Sequence, residues 1–239
     1  MAGMTDAFRF NAAVSVELVV LTLGSRVTMN DTLCALLIQR LHAPHRARWA
    51  LPGGFVRPEE SLSAAAVREL REETAIRADR LRLEQLATYG EPGRDPRGRV
   101  ISTVYLTLTP NLPPPQPGSS AKAAAIHPVD RVLADPGRIA FDHHRILADA
   151  VDAARDMLVH TPIATEFCAP EFTVAELRRV YEVFWGTTLD SRTFHRKATG
   201  IPGFLEPTGR ATTRDGGRSA QLYRSGPART LHPPLARPS

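Results

Sequence analysis

Apolar residues run almost unbroken from Val16 to Leu23, with Glu17 the one charge inside the run, and again from Leu33 to Ile38. Compact apolar runs of this kind predict strands over residues 15–23 and 32–40. Residues 24–31, which contain Gly, Asn and Asp, read as the turn between them. Residues 42–53 read as a loop leading into a helix over 62–74, on which Val67, Leu70 and Thr74 share the face that packs on a sheet. Residues 83–89 and 100–109 predict further strands on either side of the Gly/Pro loop GEPGRDPRGR. Residues 111–120 (NLPPPQPGSS) read as a proline-rich surface loop and 126–129 as one more short strand. Leu147, Val151, Ala154 and Leu158 then recur at helical spacing and predict a helix over 142–159. This order predicts a mixed sheet between helices, an α/β sandwich over residues 10–160.

Residues 161–170 (TPIATEFCAP), with a proline near each end, read as a linker. A second unit over 171–226 opens on Thr173-x-x-Glu176, a capping box. Leu177, Val180, Tyr181 and Phe184 form an apolar stripe on the helix it starts, and Gly186 ends that helix. Asp190 or Ser191 caps a shorter helix, SRTFHRKAT, with Phe194 and Ala198 on one face and Arg192, His195, Arg196 and Thr199 on the other. Residues 203–207 and 220–224 are strand candidates flanking the basic, glycine-rich loop TGRATTRDGGRS. Two helices followed by a basic hairpin outline a winged helix-turn-helix. The Pro/Arg-rich tail, 227–239, is expected to be disordered.

Composition sharpens this division. The 239 residues are 43% hydrophobic, enough for a substantial core, and the net charge of +5 favours a polyanionic partner. That charge is uneven: residues 1–160 carry 19 Lys/Arg against 18 Asp/Glu, whereas 190–229 carry eight against three. A basic helix face and basic hairpin suit phosphate contacts. Arg192, Thr193, His195, Arg196 and Lys197 on the second helix, with Arg210, Arg214 and Arg218 on the hairpin, are the candidate contacts to double-stranded DNA. A solvated surface on a protein-interaction module is the alternative. Cys34 and Cys168 lie far apart, as free thiols of a reducing compartment would. The longest apolar run is too short to span a membrane, and the first ten residues lack the order of a signal peptide, so a soluble cytoplasmic protein is expected.

The chemistry concentrates in residues 54–76, GFVRPEESLSAAAVRELREETAI. Glu69, Glu72 and Glu73 stand at i, i+3 and i+4, so a helix places them on one face within about 100° of arc. Three converging carboxylates repel one another and favour a hard divalent cation, Mg²⁺ or Mn²⁺, which bridges to phosphates and activates water. Glu60 precedes the helix and Arg68 lies two turns into it, placed for a bidentate bond from loop to helix. Pro52-Gly53-Gly54 forms a loop that phosphates can approach. A plain amphipathic helix with a solvated acidic face is the competing reading.

The stretch resembles the Nudix box at Gly54, Glu60, Arg68, Glu69, Leu70, Glu72, Glu73 and Ile76; Ala75 stands where the box has glycine. The resemblance implies structural roles for Gly54, Glu60 and Arg68, and metal-binding and catalytic roles for Glu69, Glu72 and Glu73. A residue just past the last turn often needs positive φ, which costs alanine more than glycine. Over residues 10–226 the chain also resembles the NrtR family, Nudix-related regulators of NAD metabolism, through LPGGFVRPEES, RELREET, YGEPGRDPRGRVIS, FTVAELRRVYE, LDSRTFHRK and GGRSAQLYR. That resemblance implies a homodimeric repressor on a palindromic operator of NAD-synthesis or salvage genes, released by ADP-ribose or a related NAD-derived nucleotide. Arg94, Asp95, Arg97 and Arg99 are candidate nucleotide contacts on their loop, and Tyr89 is a candidate to stack on adenine; an ordinary loop and a core tyrosine are the alternatives. An Mg²⁺-dependent ADP-ribose pyrophosphatase with an accessory domain, and a Nudix domain joined to a protein-interaction module, are the competing functions. The retained carboxylates also leave residual hydrolysis by a repressor open.

Overall fold

The computed structural model describes residues 11–24, 32–78, 81–118, 120–213 and 219–237. Strand β1 (Ala13–Leu23) is the spine of the sheet: Val16, Leu18, Val19, Val20 and Leu21 expose no surface. A strand covered on both faces has no reason to alternate, which is why its sequence is a continuous apolar run. β2 (Leu33–Arg40), β3 (Trp49–Ala50), β4 (Gly53–Phe55), β5 (Glu84–Tyr89), β6 (Val100–Leu108) and β7 (Ala121–Pro128) complete a seven-stranded sheet. Its order is β3-β2-β1-β6-β5, with β4 paired to β1 and β7 to β2.

Several departures from the sequence expectations bear on the site. β3 and the start of β4 occupy the stretch expected as a loop. They are too short for any periodicity, and pairing holds them: Ile38 opposite Ala50 and Ser15 opposite Phe55. β7 begins at Ala121 rather than 126, its alanines giving no clear alternation, and Val129 opens a short helix, α2 (Val129–Ala134). The proline-rich stretch is a surface loop, as expected, and it is tethered: the Gln116 and Gly118 amides donate to the Thr74 and Glu73 carbonyls at the end of helix α1 (Leu62–Thr74). On α1, Leu70 and Thr74 are buried as expected, but Val67 is 40% exposed. Beyond Gly24, the expected turn at 24–31 lies outside the described residues.

Helix α3 (His143–His160) matches its apolar stripe, with Leu147, Ala154 and Leu158 fully buried. Compactness groups residues 148–237 with 21–24, 32–34 and 108–112, and the other described residues into a first unit. Residues 161–170 are not a free linker. Thr161 caps a 3₁₀ turn, Pro162–Phe167, whose Phe167 packs edge-on against Phe184 at 5.3 Å. Helix α4 (Val174–Trp185) carries both halves of its capping box and ends on Gly186 at φ 64°. Helix α5 (Ser191–Gly200) follows, capped by Asp190. β8 (Leu205–Thr212) and β9 (Ala220–Ser225) pair antiparallel as the wing, and Phe172 adds a bridge to Tyr223 of β9.

The tail is also corrected. Residues 227–237 pack instead of straying: Leu231 and Leu235 are buried, and their amides donate to the His160 and Val159 carbonyls at the end of α3. The Arg237 guanidinium donates to the Trp185 carbonyl. Composition misled because two leucines among prolines and arginines look negligible, yet each finds an apolar seat and a helix carbonyl that needs a donor.

Candidate functional site

The loop before α1 lies between two carboxylates. A Cβ on Gly53 would land on the Glu17 carboxylate and the Val16 carbonyl, and one on Gly54 would land on the Glu69 carboxylate. The paired glycines therefore let a sheet glutamate and a helix glutamate approach the backbone of β4 from different elements. Ser61 caps α1 by accepting from the Ala64 amide. At the other end Ala75 adopts the left-handed conformation, φ 57°, with its amide donating to the Arg71 carbonyl. The strain foreseen for this alanine is present, at a cost of about 1 kcal/mol relative to glycine.

Arg68 forms the expected fork with Glu60, Nε donating to Oε2 at 2.9 Å and Nη2 to Oε1, and it also donates to the Phe55 carbonyl. The Arg68 hydrogen bonds hold the Glu60 carboxyl down at about 2. Nη1 of the same guanidinium reaches Glu69 and, at 3.2 Å, Glu72, while Arg57 reaches Glu72 at 3.3 Å. Glu73 turns inward, accepting from the Gly53 amide at 2.9 Å and the Ser120 hydroxyl at 3.1 Å. Burial, aided by repulsion from Glu69, pushes the Glu73 pKa up to about 7.

The donor set suits a hard divalent cation, being carboxylate oxygen throughout, and Gly54 leaves Glu69 the room to present it. Arg68 pairs with both Glu69 and Glu72, and no three His, Cys, Asp or Glu side chains among the described residues converge at ligand geometry. Binding a cation through all three glutamates requires Glu72, the most exposed, to exchange its arginines for it.

Behind the loop lies a buried polar network that the sequence reading passed over. His143 Nδ1 accepts from the Leu51 amide at 3.0 Å, which leaves the proton of the neutral ring on Nε2, 3.8 Å from Glu17 Oε2. Burial lowers the His143 pKa to about 3, and burial also raises that of Glu17 well above the usual carboxylate range. The one signal in the sequence was Glu17 itself, a lone charge in a strand otherwise built to be dry.

The loop candidates prove to be partnered from within. Arg94 is committed to Asp142, with Nε and Nη2 donating to its two oxygens at 2.8 and 2.6 Å, and it also bonds Ser102. Its side chain is 4% exposed, so it positions the start of α3 rather than meeting a ligand. Asp95 is buried and accepts from both the Arg97 amide and guanidinium. Arg97 remains half-exposed, its guanidinium 4.7 Å from the Phe55 ring centroid. Arg99 is half-buried where its carbonyl accepts from Ala13. Tyr89 is a buried strand-end residue with Arg145 5.9 Å from its ring, so no open tyrosine face is offered to a base.

The second charged surface is α5. Phe194 and Ala198 are buried, Phe194 lying 5.3 Å from the Tyr181 ring, while Arg192, Thr193, His195, Arg196 and Lys197 are exposed. The Asp190 carboxylate accepts from the Thr193 amide and fixes the first turn. On the wing, Arg210 pairs with Glu171 at 3.0 Å, both exposed, a contact weak enough to yield to a phosphate. Arg214 and Arg218 lie outside the described residues. Among the described residues, no helix is long and apolar enough to cross a membrane.

Comparison with known proteins identifies both domains. The NUDIX domain model matches residues 21–150, and the model of the NrtR DNA-binding winged helix domain matches 164–225. The chain is 35% identical over 191 residues to the ADPR responsive transcriptional repressor NtrR of Acinetobacter baylyi, covering 79% of this chain and 74% of that one. It superposes on Shewanella oneidensis NrtR complexed with a 27mer DNA at a TM-score of 0.68 and 28% identity, over 91% of this chain and 99% of the other. The NUDIX domain of the same NrtR complexed with ADP ribose matches at a TM-score of 0.54 and 30% identity, over 61% of this chain and 90% of the other. The chain thus belongs to the NrtR family, a NUDIX domain followed by a DNA-binding winged helix.

Proposed function

We propose that this protein is a transcriptional repressor that binds operator DNA through α5 and the wing and releases it when ADP-ribose, or a related NAD-derived nucleotide, occupies the NUDIX domain. The observation that carries the reading is the exposed Arg192, Arg196 and Lys197 face on a capped helix whose opposite side is locked by Phe194. A plain hydrolase has no use for such a face. The relatives named above, one ADPR-responsive and one complexed with DNA, support the same reading. The operator is a palindrome bound by a homodimer, since half-site spacing on the DNA turn lets one altered angle between two winged helices weaken both contacts. The genes controlled are those of NAD synthesis or salvage. The effector must bind the DNA-free arrangement better than the DNA-bound one, because equal affinity would shift nothing.

Glu69, Glu72 and Glu73 would hold Mg²⁺ or Mn²⁺, which supplies Lewis-acid activation of a phosphate and its attacking water when bound. Retention of all three favours, as a second reading, residual ADP-ribose hydrolysis by the same chain. The primary test is a mobility-shift titration on promoters of NAD-synthesis operons with and without ADP-ribose. Tight binding relieved by ADP-ribose is expected; binding no better than to random DNA at low salt would overturn the repressor. Hydrolysis of ADP-ribose by the wild-type chain, lost in E72Q/E73Q, is expected on the second reading; no wild-type turnover with Mg²⁺ would remove it, and turnover that survives the double change would mean that the metal lies elsewhere.

A further inference from the structure

Arg40 leaves β2 into a loop that folds back over it. Its Nε donates to the Pro44 carbonyl at 2.8 Å, its carbonyl accepts from the Ala47 amide, and its amide donates to the Arg48 carbonyl. Two residues of this loop, His45 and Ala47, hold left-handed backbone at φ 61° and 66°, and so does Phe141 facing them, at φ 55°. Non-glycine residues rarely adopt that region, least of all a bulky aromatic. Such conformations persist where the surroundings over-determine them, and they gather at ligand sites.

The three segments meet on the Phe141 ring. The Arg40 guanidinium carbon lies 4.8 Å from its centroid, that of Arg97 5.5 Å, and the His45 ring meets it edge-on at 4.7 Å. Phe141 itself is seated against the cluster of Ile38, Ala50, Ala121 and Ala140. Two cations are therefore held on one fixed plate, within about 10 Å of each other. Arg97 has Asp95, but among the described residues no carboxylate forms an ion pair with Arg40. Glu73, Glu17 and Asp95, all buried, act on Arg40 only through space, and partial burial, with repulsion from Arg97 second, lowers its proton affinity. His45 is held neutral by burial and by Arg48 and Arg40, so it adds donor capacity without charge. Like charges converging on a pre-formed plate are stabilised by an anion with two charged ends, and guanidinium forks match phosphate oxygens.

We propose that Arg40 and Arg97, held on the Phe141 ring beside the Gly53–Phe55 strand, clamp the diphosphate of the effector nucleotide. This deepens the effector reading and rests on it for the nucleotide, while the diphosphate site itself stands on the cluster. It moves the anion contact from Arg94, which is committed to Asp142, to an arginine outside the loop first singled out. The exposed Phe55 ring, already stacked on Arg97, is the aromatic surface left to the rest of the ligand.

The test is calorimetry on the full chain without metal, titrating ADP-ribose and, separately, inorganic diphosphate. Wild-type protein is expected to bind both competitively, and R40Q and R97Q each to lose about tenfold or more in affinity for both, the loss of a charge-assisted contact. R40K should recover part of it. A merely structural Arg40 would lower the melting temperature of R40Q and leave both affinities unchanged, which overturns the proposal. Should R40Q fail to fold, R97Q carries the test from its exposed position. Diphosphate binding lost in R97Q, with no ADP-ribose binding by wild type, would keep the clamp and remove the nucleotide effector. Binding of neither ligand by wild type would overturn both.

Discussion

Helices α1 and α5 both present a charged face, and they use it in opposite ways. On α1 the charges are largely spent within the molecule. Arg68 ties Glu60, Glu69 and Glu72, Arg57 shares Glu72, and Glu73 is buried against Gly53 and Ser120. On α5, Arg192, Arg196 and Lys197 have no ion pair among the described residues, and the helix is held by Phe194 and Ala198 beneath. A small-ligand site needs its groups fixed in place before the ligand arrives. A surface for a polyanion gains from counterion release and keeps its cations extended. Pairing and burial of the charges, as well as their sign, separate the two uses.

The comparison breaks most directly at α5. R192A/R196A/K197A should lower operator affinity by about a hundredfold or more at moderate salt, each lost phosphate contact also flattening the salt dependence. Stability should hardly move, since exposed changes of this kind fall within about 0.5 kcal/mol each. Unaltered DNA binding in a mobility-shift assay would remove α5 from the interface.

The apolar support of the second unit gives the next largest effect. Leu235→Ala should destabilise by about 2–4 kcal/mol in a denaturant titration, because the side chain is 1% exposed. A disordered tail would show no effect, so the same experiment checks that residues 227–237 brace the end of α3.

Acid should find α1 first. The Glu60 carboxyl is held at about 2, below its ordinary value, by Arg68. A depressed carboxylate contributes stability that is complete above the unfolded value near 4.5 and is lost as pH falls towards about 2. Arg68→Gln should remove this part of the acid dependence. An unchanged profile between pH 5 and about 2 would mean that the fork contributes nothing in solution.

The smallest effect sharpens the end of α1. Ala75→Gly relieves a left-handed alanine and should raise stability by about 1 kcal/mol, less the entropy of a freer unfolded chain. No gain would indicate that the bend at Ala75 is held without strain.

Much of this was legible in local patterns. The Glu69, Glu72 and Glu73 face, the Glu60–Arg68 fork, the Thr173–Glu176 box, the Phe194/Ala198 stripe and the left-handed Ala75 all depend on residues a few places apart, or on one segment with a fixed geometry. Periodicity and capping chemistry record such relations directly. The short strands β3 and β4 escaped, because two or three residues carry no period and form only where β2 and β1 offer a partner.

What tertiary structure alone decided are the partners of long-range polar groups. Arg94 and Arg97 share a loop, yet one is consumed by Asp142 and the other stays on the surface beside Phe55. Glu17 meets His143, and Arg40 meets Phe141, across most of the first unit's sequence. Leu235 closes on Val159 through a segment whose composition suggested no structure. The sequence by itself determined a NUDIX domain followed by a winged helix, the helix carrying the carboxylates and the helix carrying the cations, since these follow from neighbouring side chains on a regular backbone. Which charges would be buried, paired or left to a ligand depended on where distant segments cross, because a charge removed from water takes whatever counter-group the fold brings within a few ångströms.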